Sequence, residues 1–138
     1  MHTLVDSNVI LDVFTGDPEW ADWSSEALSV ASDESVLAIN PIIYAEVSVR
    51  VASIEELDAV IPTTAFLRLA LPYEAGFLAG KAFLAYRRRG GMKNMPLADF
   101  YIGAHAAVSG MQLLTRDASR YRTYFPTVPL IAPERLPR

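Results

Sequence analysis

The hydrophobic pattern alternates between short apolar runs and longer segments with helical spacing. Residues 3–5 and 36–39 read as buried strands, and residues 112–115 and 128–131 have a similar character. Between these runs, apolar side chains recur at helical intervals, most regularly over residues 75–86. Strands that alternate with helices predict an α/β sandwich built on a parallel sheet.

Proline, glycine and capping residues indicate where the helices begin and end. Asp17-Pro18 and Asn40-Pro41 each place a capping side chain before a proline at the first helical position. Residues 53–56 have the capping-box spacing, and Gly90-Gly91 and Gly110 are helix stops. The predicted helices cover about residues 17–31, 40–50, 53–61, 75–86 and 96–109. Residues 63–72 are ambiguous between helix and strand.

Composition narrows the class of protein. The chain has 138 residues, of which 51% are apolar and 20% charged, as in an ordinary globular domain. No run approaches the roughly twenty apolar residues of a membrane span, and the first residues lack the pattern of a signal peptide. Without cysteine, the chain has no disulfide scaffold, thiolate zinc site or cysteine nucleophile. We expect a single cytoplasmic domain over residues 1–138, with carboxylate chemistry.

The charges are unevenly distributed along the chain. Residues 1–86 hold thirteen acids and three bases, a net charge of −10, whereas residues 87–138 hold three acids and nine bases, a net charge of +6. The total of −4 argues against an indiscriminate nucleic-acid binder. The division still allows a local basic surface beside an acidic cluster.

Acidic residues fall at positions where ligands bind in parallel sheets. Asp6 and Asp117 closely follow predicted strands, Glu46 lies on the helix after the second strand, and Asp99 lies in the first turn of a helix. Ligands of such sheets bind outside the carboxyl ends of the strands. Converging carboxylates repel one another and need a cation, for which oxygen ligands favour Mg²⁺ or Mn²⁺. Such an ion activates water, and phosphodiester hydrolysis is the natural chemistry.

Each acid also has an ordinary structural explanation. Asp6 could cap a helix, Glu46 could pair with Arg50, Asp99 could face a helix dipole, and Asp117 could belong to a turn. Asp6 is the hardest to explain in this way, because it stands between a buried strand and an apolar helix.

Four segments along the chain form a recognisable set of motifs. They are LVDSNVI at residues 4–10, NPIIYAE at 40–46, LADFYIGAHA at 97–106 and LLTRD at 113–117. In this order they resemble the PIN-domain family, and within it the chain is most similar to the VapC toxins of prokaryotic toxin–antitoxin pairs. The resemblance implies a three-layer α/β/α domain with a short, mostly parallel central sheet.

The resemblance also implies an activity, a cofactor and partners. It implies an endoribonuclease in which Asp6, Glu46, Asp99 and Asp117 hold one or two Mg²⁺ or Mn²⁺ ions, with Asn8 and Thr115 as supporting polar residues. Cleavage would leave a 5′-phosphate and a 3′-hydroxyl. It implies a homodimer and a VapB-type antitoxin whose C-terminal segment enters the active-site groove.

Candidate substrate contacts lie in the basic segment of residues 87–138. These candidates are Arg87, Arg88, Arg89, Lys93, Asn94 and Arg116. The arginine run could bind RNA phosphates or simply be a solvated helix end, and Arg116 could meet phosphate or an antitoxin carboxylate. Asp12 is interpreted as structural or supporting, and His105 as packed or facing a partner.

Three rival functions stand beside the nuclease. A haloacid-dehalogenase-like phosphatase needs a second carboxylate two residues after the first, where this chain has Asn8. A receiver domain needs an acidic pair and a late lysine, whereas Asp6 stands alone and the last lysine is Lys93. A catalytically silent PIN domain that binds RNA or protein would be marked by the loss of an acid, and all four are present.

Overall fold

A central parallel sheet organises the chain. The computed structural model describes residues 1–90 and 95–133. Five strands are hydrogen-bonded in the order β3-β2-β1-β4-β5, and every pair is parallel. The strands are β1 (His2–Val5), β2 (Val36–Ile39), β3 (Leu67–Arg68), β4 (Gln112–Leu114) and β5 (Leu130–Ile131). The predicted parallel sheet is confirmed, and β3 lies in the segment that the sequence left ambiguous.

Helices cover the sheet and complete a three-layer α/β/α fold, as predicted. They are α1 (Ser7–Thr15), α2 (Ala21–Glu34), α3 (Pro41–Ser48), α4 (Ile54–Val60), α5 (Tyr73–Arg88), α6 (Leu97–Val108) and α7 (Ala118–Tyr124). The sequence pattern did not predict α7. Among the described residues, none of these helices has both the length and the apolar character to cross a membrane.

The helix starts follow the capping chemistry, with one shift. Asn40 accepts the backbone N–H of Ile43 at 2.9 Å and so caps α3, as predicted. Asp17 also accepts two backbone N–H groups, from Glu19 and Trp20, at 2.9 Å each. These bonds close a turn that precedes α2, so regular helix begins at Ala21 rather than beside Pro18.

The strand register brings three strand ends to one edge of the sheet. β1 is central, with Leu4 opposite Ala38 of β2 and Leu113 of β4. The backbone N–H of Asp6 continues the ladder by donating to the carbonyl of Leu114 at 2.9 Å. Because parallel strands end together, the residues after β1, β2 and β4 lie near one another.

An aromatic cluster holds α5, α6 and α7 together. Its rings lie 5.4–6.3 Å apart between centroids in edge-on and tilted pairs. The members are Phe83, Tyr86, Phe100, Tyr124 and Phe125. The ring of Phe125 packs directly against Gly103 of α6. A β-carbon at position 103 would lie 2.3 Å from the nearest ring carbon of Phe125. The start of α6 is thereby fixed beside α7 and the end of α5.

Candidate active site

The four predicted acids gather at the carboxyl edge of the sheet. Asp6 directly follows β1, Asp117 precedes α7, Asp99 lies in the first turn of α6, and Glu46 lies on α3 after β2. Burial raises the pKa of Asp6 and of Asp99, and a neighbouring carboxylate adds to each rise: Asp99 for Asp6, and Asp117 for Asp99. Burial also raises the pKa of Glu46, with added repulsion from Asp6 and Asp99. The acids therefore share one electrostatic environment.

Asp6 accepts side-chain hydrogen bonds instead of capping a helix. It stands at the N-cap position of α1, yet its side chain makes no capping hydrogen bond. Its Oδ2 accepts the hydroxyls of Thr115 and Tyr121, both at 2.9 Å, and the amide of Asn8 at 3.4 Å. This carboxylate is 5% exposed, so these donors supply the interactions that water would otherwise give.

Asn8 and Thr115 connect Asp6 with Asp117. The amide of Asn8 lies 3.4 Å from the hydroxyl of Thr115 and 3.5 Å from Oδ2 of Asp117. The backbone N–H of Asp117 donates to that hydroxyl at 3.0 Å. The supporting residues named from the sequence therefore contact two of the acids.

Two hydrogen bonds position Glu46: one to its own side chain and one at the start of its helix, α3. Ser7 of α1 donates its hydroxyl to Oε1 of Glu46 at 2.7 Å. At the start of the same helix, the amide of Asn40 lies 3.0 Å from Nδ1 of the buried His105 on α6. Burial lowers the pKa of His105, so the neutral ring accepts this bond at Nδ1. The pair ties α3 to α6, the helix that carries Asp99.

Helix α7 supplies two site residues that the sequence analysis missed. Arg120 donates from Nη1 to Oδ2 of Asp99, and its Nε lies 3.7 Å from Oδ2 of Asp117. Tyr121 is almost fully buried, and burial, followed by the charge of Asp6, raises the pKa of its hydroxyl well above 10.0. It therefore stays protonated and donates to Asp6. The four-residue spacing of Tyr121 and Phe125 was the available signal for this helix.

The donor chemistry of this site fits a divalent ion. Every acidic side chain of the site offers carboxylate oxygens, the ligands that Mg²⁺ and Mn²⁺ prefer. Burial, followed by repulsion between the carboxylates, raises the pKa of Asp6, Glu46 and Asp99, so a cation among them would favour their charged forms. Across residues 1–90 and 95–133, no group of three histidine or acidic side chains is arranged to ligate one ion as the side chains now stand. Arg120 instead contacts Asp99 and Asp117.

Arg116 is engaged by an acid outside this cluster. Its Nε and Nη2 donate to the buried Asp12 at 2.7 and 3.0 Å, and its guanidinium lies 5.5 Å from the ring centre of Trp20. Asp12 also accepts the hydroxyl of Ser24 at 2.8 Å. The backbone N–H of Arg116 donates to Asn8 at 3.4 Å. The ion pair between Arg116 and Asp12 anchors the turn that carries Asp117.

The arginine run at the end of α5 is exposed and lies toward α6 and α7. Arg87 stacks over Phe83 and Arg89 over Tyr124, each with its guanidinium carbon 5.7 Å from the ring centre. Arg88 is also exposed. Because Tyr124 packs on Phe100, the residue after Asp99, the run stands at the same end of the domain as the acids. Lys93 and Asn94, the other predicted contacts, lie outside the described residues.

A three-layer parallel α/β domain with acids at its carboxyl edge matches a known class. The family model described as "PIN domain" matches residues 3–126, and the chain belongs to this family, as its sequence motifs predicted. A search of curated proteins finds no significant match.

Solved structures of toxin–antitoxin complexes have the same fold. VapBC2 from Rickettsia felis, bound to a DNA fragment from its promoter, matches with a TM-score of 0.73 and 17% identity, covering 96% of this chain and 98% of that one. VapBC-1 from nontypeable Haemophilus influenzae matches with a TM-score of 0.72 and 16% identity over 96% and 98% of the two chains. A toxin–antitoxin complex from Klebsiella pneumoniae gives 0.65 and 22% over 97% and 99%. At these identities the likeness concerns the fold.

Proposed function

We propose that this PIN domain is a Mg²⁺- or Mn²⁺-dependent endoribonuclease and the toxin of a VapBC-type toxin–antitoxin pair. The observation that carries the proposal is the meeting of Asp6, Glu46, Asp99 and Asp117 at the carboxyl edge of the sheet. Carboxylates in such numbers need a cation, and a divalent ion among them suits the hydrolysis of phosphodiesters.

We assign a role to each residue of the site within this proposal. Asp6, Asp99 and Asp117 would hold one or two ions, with Glu46 acting directly or through a water molecule. Bound there, the ion lowers the pKa of water and stabilises charge at phosphorus. Burial raises the pKa of Glu46, which makes its carboxylate a better proton acceptor. Asn8 and Thr115 hold Asp6 and Asp117 in their relative positions.

The surrounding charges favour a polyanionic substrate, which we propose to be RNA. The exposed Arg87, Arg88 and Arg89 form a positive patch at the end of the domain that holds the acids. Lys93 and Asn94 follow this patch along the chain and are proposed as further contacts. Arg116 donates to Asp12 and would attract the substrate through its positive charge. Its ion pair with Asp12 would also hold the turn that leads to Asp117.

The partners are a VapB-type antitoxin and a second copy of this chain, in the cytoplasm. Three solved structures of the same fold are toxin–antitoxin complexes. Helix α5 also exposes two aromatic side chains one turn apart, Tyr73 at 97% and Phe77 at 71%. Aromatic groups on an open face are typical of protein interfaces, which supports a partner on this helix.

Cleavage of RNA by the antitoxin-free protein tests the proposal. Wild-type protein should cut total cellular RNA with Mg²⁺ and not with EDTA, and Asp99→Asn should be inactive, because it removes a charge from the metal site at almost constant shape. Asp33→Asn is the matched control, since Asp33 is exposed on α2. Equal cleavage by wild type and Asp99→Asn would contradict the assignment. A folded wild-type protein that binds Mn²⁺ but cuts no RNA would favour the silent, binding PIN domain instead.

A further inference from the structure

Arg120 is a basic residue in the site to which the proposed function gives no role. It donates to Asp99, and its Nε lies 3.7 Å from Oδ2 of Asp117. Its charge also acts on Glu46, where it offsets part of the rise in pKa that burial causes. In residues 1–90 and 95–133, it is the one basic side chain within ion-pair distance of these acids.

The anchoring of Arg120 allows its side chain to move while its helix stays in place. The adjacent Tyr121 is 1% exposed and donates to Asp6 at 2.9 Å, which fixes α7 against the site. The side chain of Arg120 is 43% exposed. Its guanidinium can therefore leave the carboxylates for solvent by side-chain rotation alone.

A guanidinium and a divalent ion cannot both occupy the space between the same carboxylates. The carboxylate of Asp99 that accepts from Arg120 is the same carboxylate that would ligate the ion, and the two cations repel at short range. Binding of the ion must therefore displace Arg120. Because these ion pairs are lost when the ion binds, the free energy of ion binding becomes less favourable by the free energy that they contributed.

We infer that Arg120 is an internal counter-ion that competes with the divalent ion for Asp99 and Asp117 and thereby weakens binding of the ion. The inference depends on the proposed function only in requiring a divalent ion at this site. In metal-free protein Arg120 stabilises the crowded acids, and after loading it is released beside them. Arg120 is a positioning residue in this account, because it acts through Asp99 and Asp117.

Titration calorimetry with Mn²⁺ tests this competition through two matched variants. Arg120→Gln and Arg122→Gln each remove one positive charge from α7, but positions two apart on a helix point roughly 200° apart. Arg122 is exposed and makes no ion pair among the described residues. Arg120→Gln should bind Mn²⁺ about tenfold more tightly than wild type. Arg122→Gln should change the affinity by less than about twofold, because exposed charges are screened.

Thermal unfolding supplies a second readout that does not depend on activity. In EDTA, Arg120→Gln should unfold at a lower temperature than wild type, because Asp99 and Asp117 lose their counter-ion. Saturating Mn²⁺ should raise its unfolding temperature by more than it raises that of wild type. Arg120→Lys keeps the positive charge but lacks the planar guanidinium. Its affinity for Mn²⁺ should therefore lie between that of wild type and that of Arg120→Gln.

The outcomes separate this inference from the proposed function. Wild-type protein that binds Mn²⁺ and an Arg120→Gln variant of equal or weaker affinity would overturn the competition and leave the metal site intact. Wild-type protein that binds no Mn²⁺ would overturn both. If circular dichroism shows that Arg120→Gln is unfolded, Arg120→Lys decides the question: tighter binding than wild type supports the competition, and unchanged binding contradicts it.

Discussion

At the scale of single residues, the buried carboxylate of Asp6 explains why the site needs several hydrogen-bond donors. A buried carboxylate is unfavourable unless it is neutralised or hydrogen-bonded. Thr115 and Tyr121 give Asp6 two hydroxyl donors, yet burial still raises its pKa. Burial therefore disfavours the charged form of Asp6 in the metal-free protein, and a bound divalent ion would favour it.

Asp6→Asn should stabilise the metal-free protein while it weakens binding of the ion. The amide keeps an acceptor for both hydroxyls and removes the buried charge, so the unfolding temperature in EDTA should rise at pH 7 by roughly 3–5 °C. Stabilisation by Mn²⁺ should shrink or disappear. A melting temperature in EDTA below that of wild type at pH 7 would contradict this account of Asp6.

The same substitution should respond to pH with a definite sign. Because the native pKa of Asp6 lies above its unfolded value, the folded protein binds the extra proton, and wild-type stability falls as pH rises through the native pKa. The advantage of Asp6→Asn should therefore be present at neutral pH and vanish toward pH 4. Melting curves in EDTA across this range measure it, and an advantage that grows on acidification would exclude the mechanism.

Some site residues could be predicted from the sequence, and others could not. Asp6 and Asp117 follow strand-like runs, which placed both at the carboxyl edge of the expected parallel sheet. The engagement of Arg116 by Asp12 depends on residues 104 positions apart, a pairing that no local pattern indicates. Arg120 lies in a short, mostly polar segment and was missed for the same reason.

At the scale of elements, the site depends on how closely α6 meets its neighbours. Helix α6 presents Asp99 in its first turn and Gly103 one turn later, where the ring of Phe125 packs on it. Phe125 follows α7, which carries Arg120. The contact between a glycine and a ring therefore fixes the spacing between the acid and its counter-ion.

Two glycine-to-alanine substitutions should have opposite effects on stability. Gly103→Ala places a β-carbon where the ring of Phe125 lies and should destabilise the protein by about 1–3 kcal/mol. Gly80→Ala on α5 meets no atom within 4 Å and should stabilise it by about 0.5–1 kcal/mol, because alanine favours helix. Urea unfolding measures both. A neutral Gly103→Ala would mean that α6 and Phe125 are less closely packed than described.

Helices α5 and α6 were the elements that the sequence predicted best, whereas α2 was displaced from the predicted residues 17–31 to Ala21–Glu34. Helices α5 and α6 have repeated apolar positions and clear stops, and their predicted limits agree within about two residues. Strand β3 has only two residues, both exposed, so no alternation could reveal it. Helix α7 has seven residues and one buried side chain, so the single spacing of Tyr121 and Phe125 was too short a pattern to predict it.

At the scale of the whole molecule, the uneven charge becomes a spatial arrangement. The positive segment of residues 87–138 begins at the end of α5, where Arg87, Arg88 and Arg89 stand near the start of α6 and its Asp99. The first half places Asp6 and Glu46 at the same sheet edge. This arrangement suits a polyanionic substrate. The basic patch would bind its phosphates, and the neighbouring acidic site would cleave it.

Replacing the three arginines together with alanine should weaken RNA binding and its response to salt. With Ca²⁺ in place of Mg²⁺ to suppress cleavage, the slope of log affinity against log salt should fall by about 2 for single-stranded RNA. Arg50→Ala, at an exposed arginine in the turn after α3, is the control and should leave the slope nearly unchanged. An unchanged slope in the triple variant would mean that the run is only a solvated helix end.

The chemistry of the new RNA ends tests the central claim most directly. Antitoxin-free protein is incubated with total cellular RNA in Mg²⁺ or EDTA, with Asp99→Asn in parallel, and new 5′ ends are mapped by sequencing. Hydrolysis by a water molecule at the acids predicts discrete 5′-phosphate ends that require both Mg²⁺ and Asp99. New ends that carry a 5′-hydroxyl, or that persist in EDTA or with Asp99→Asn, would contradict a metal-dependent ribonuclease at this site.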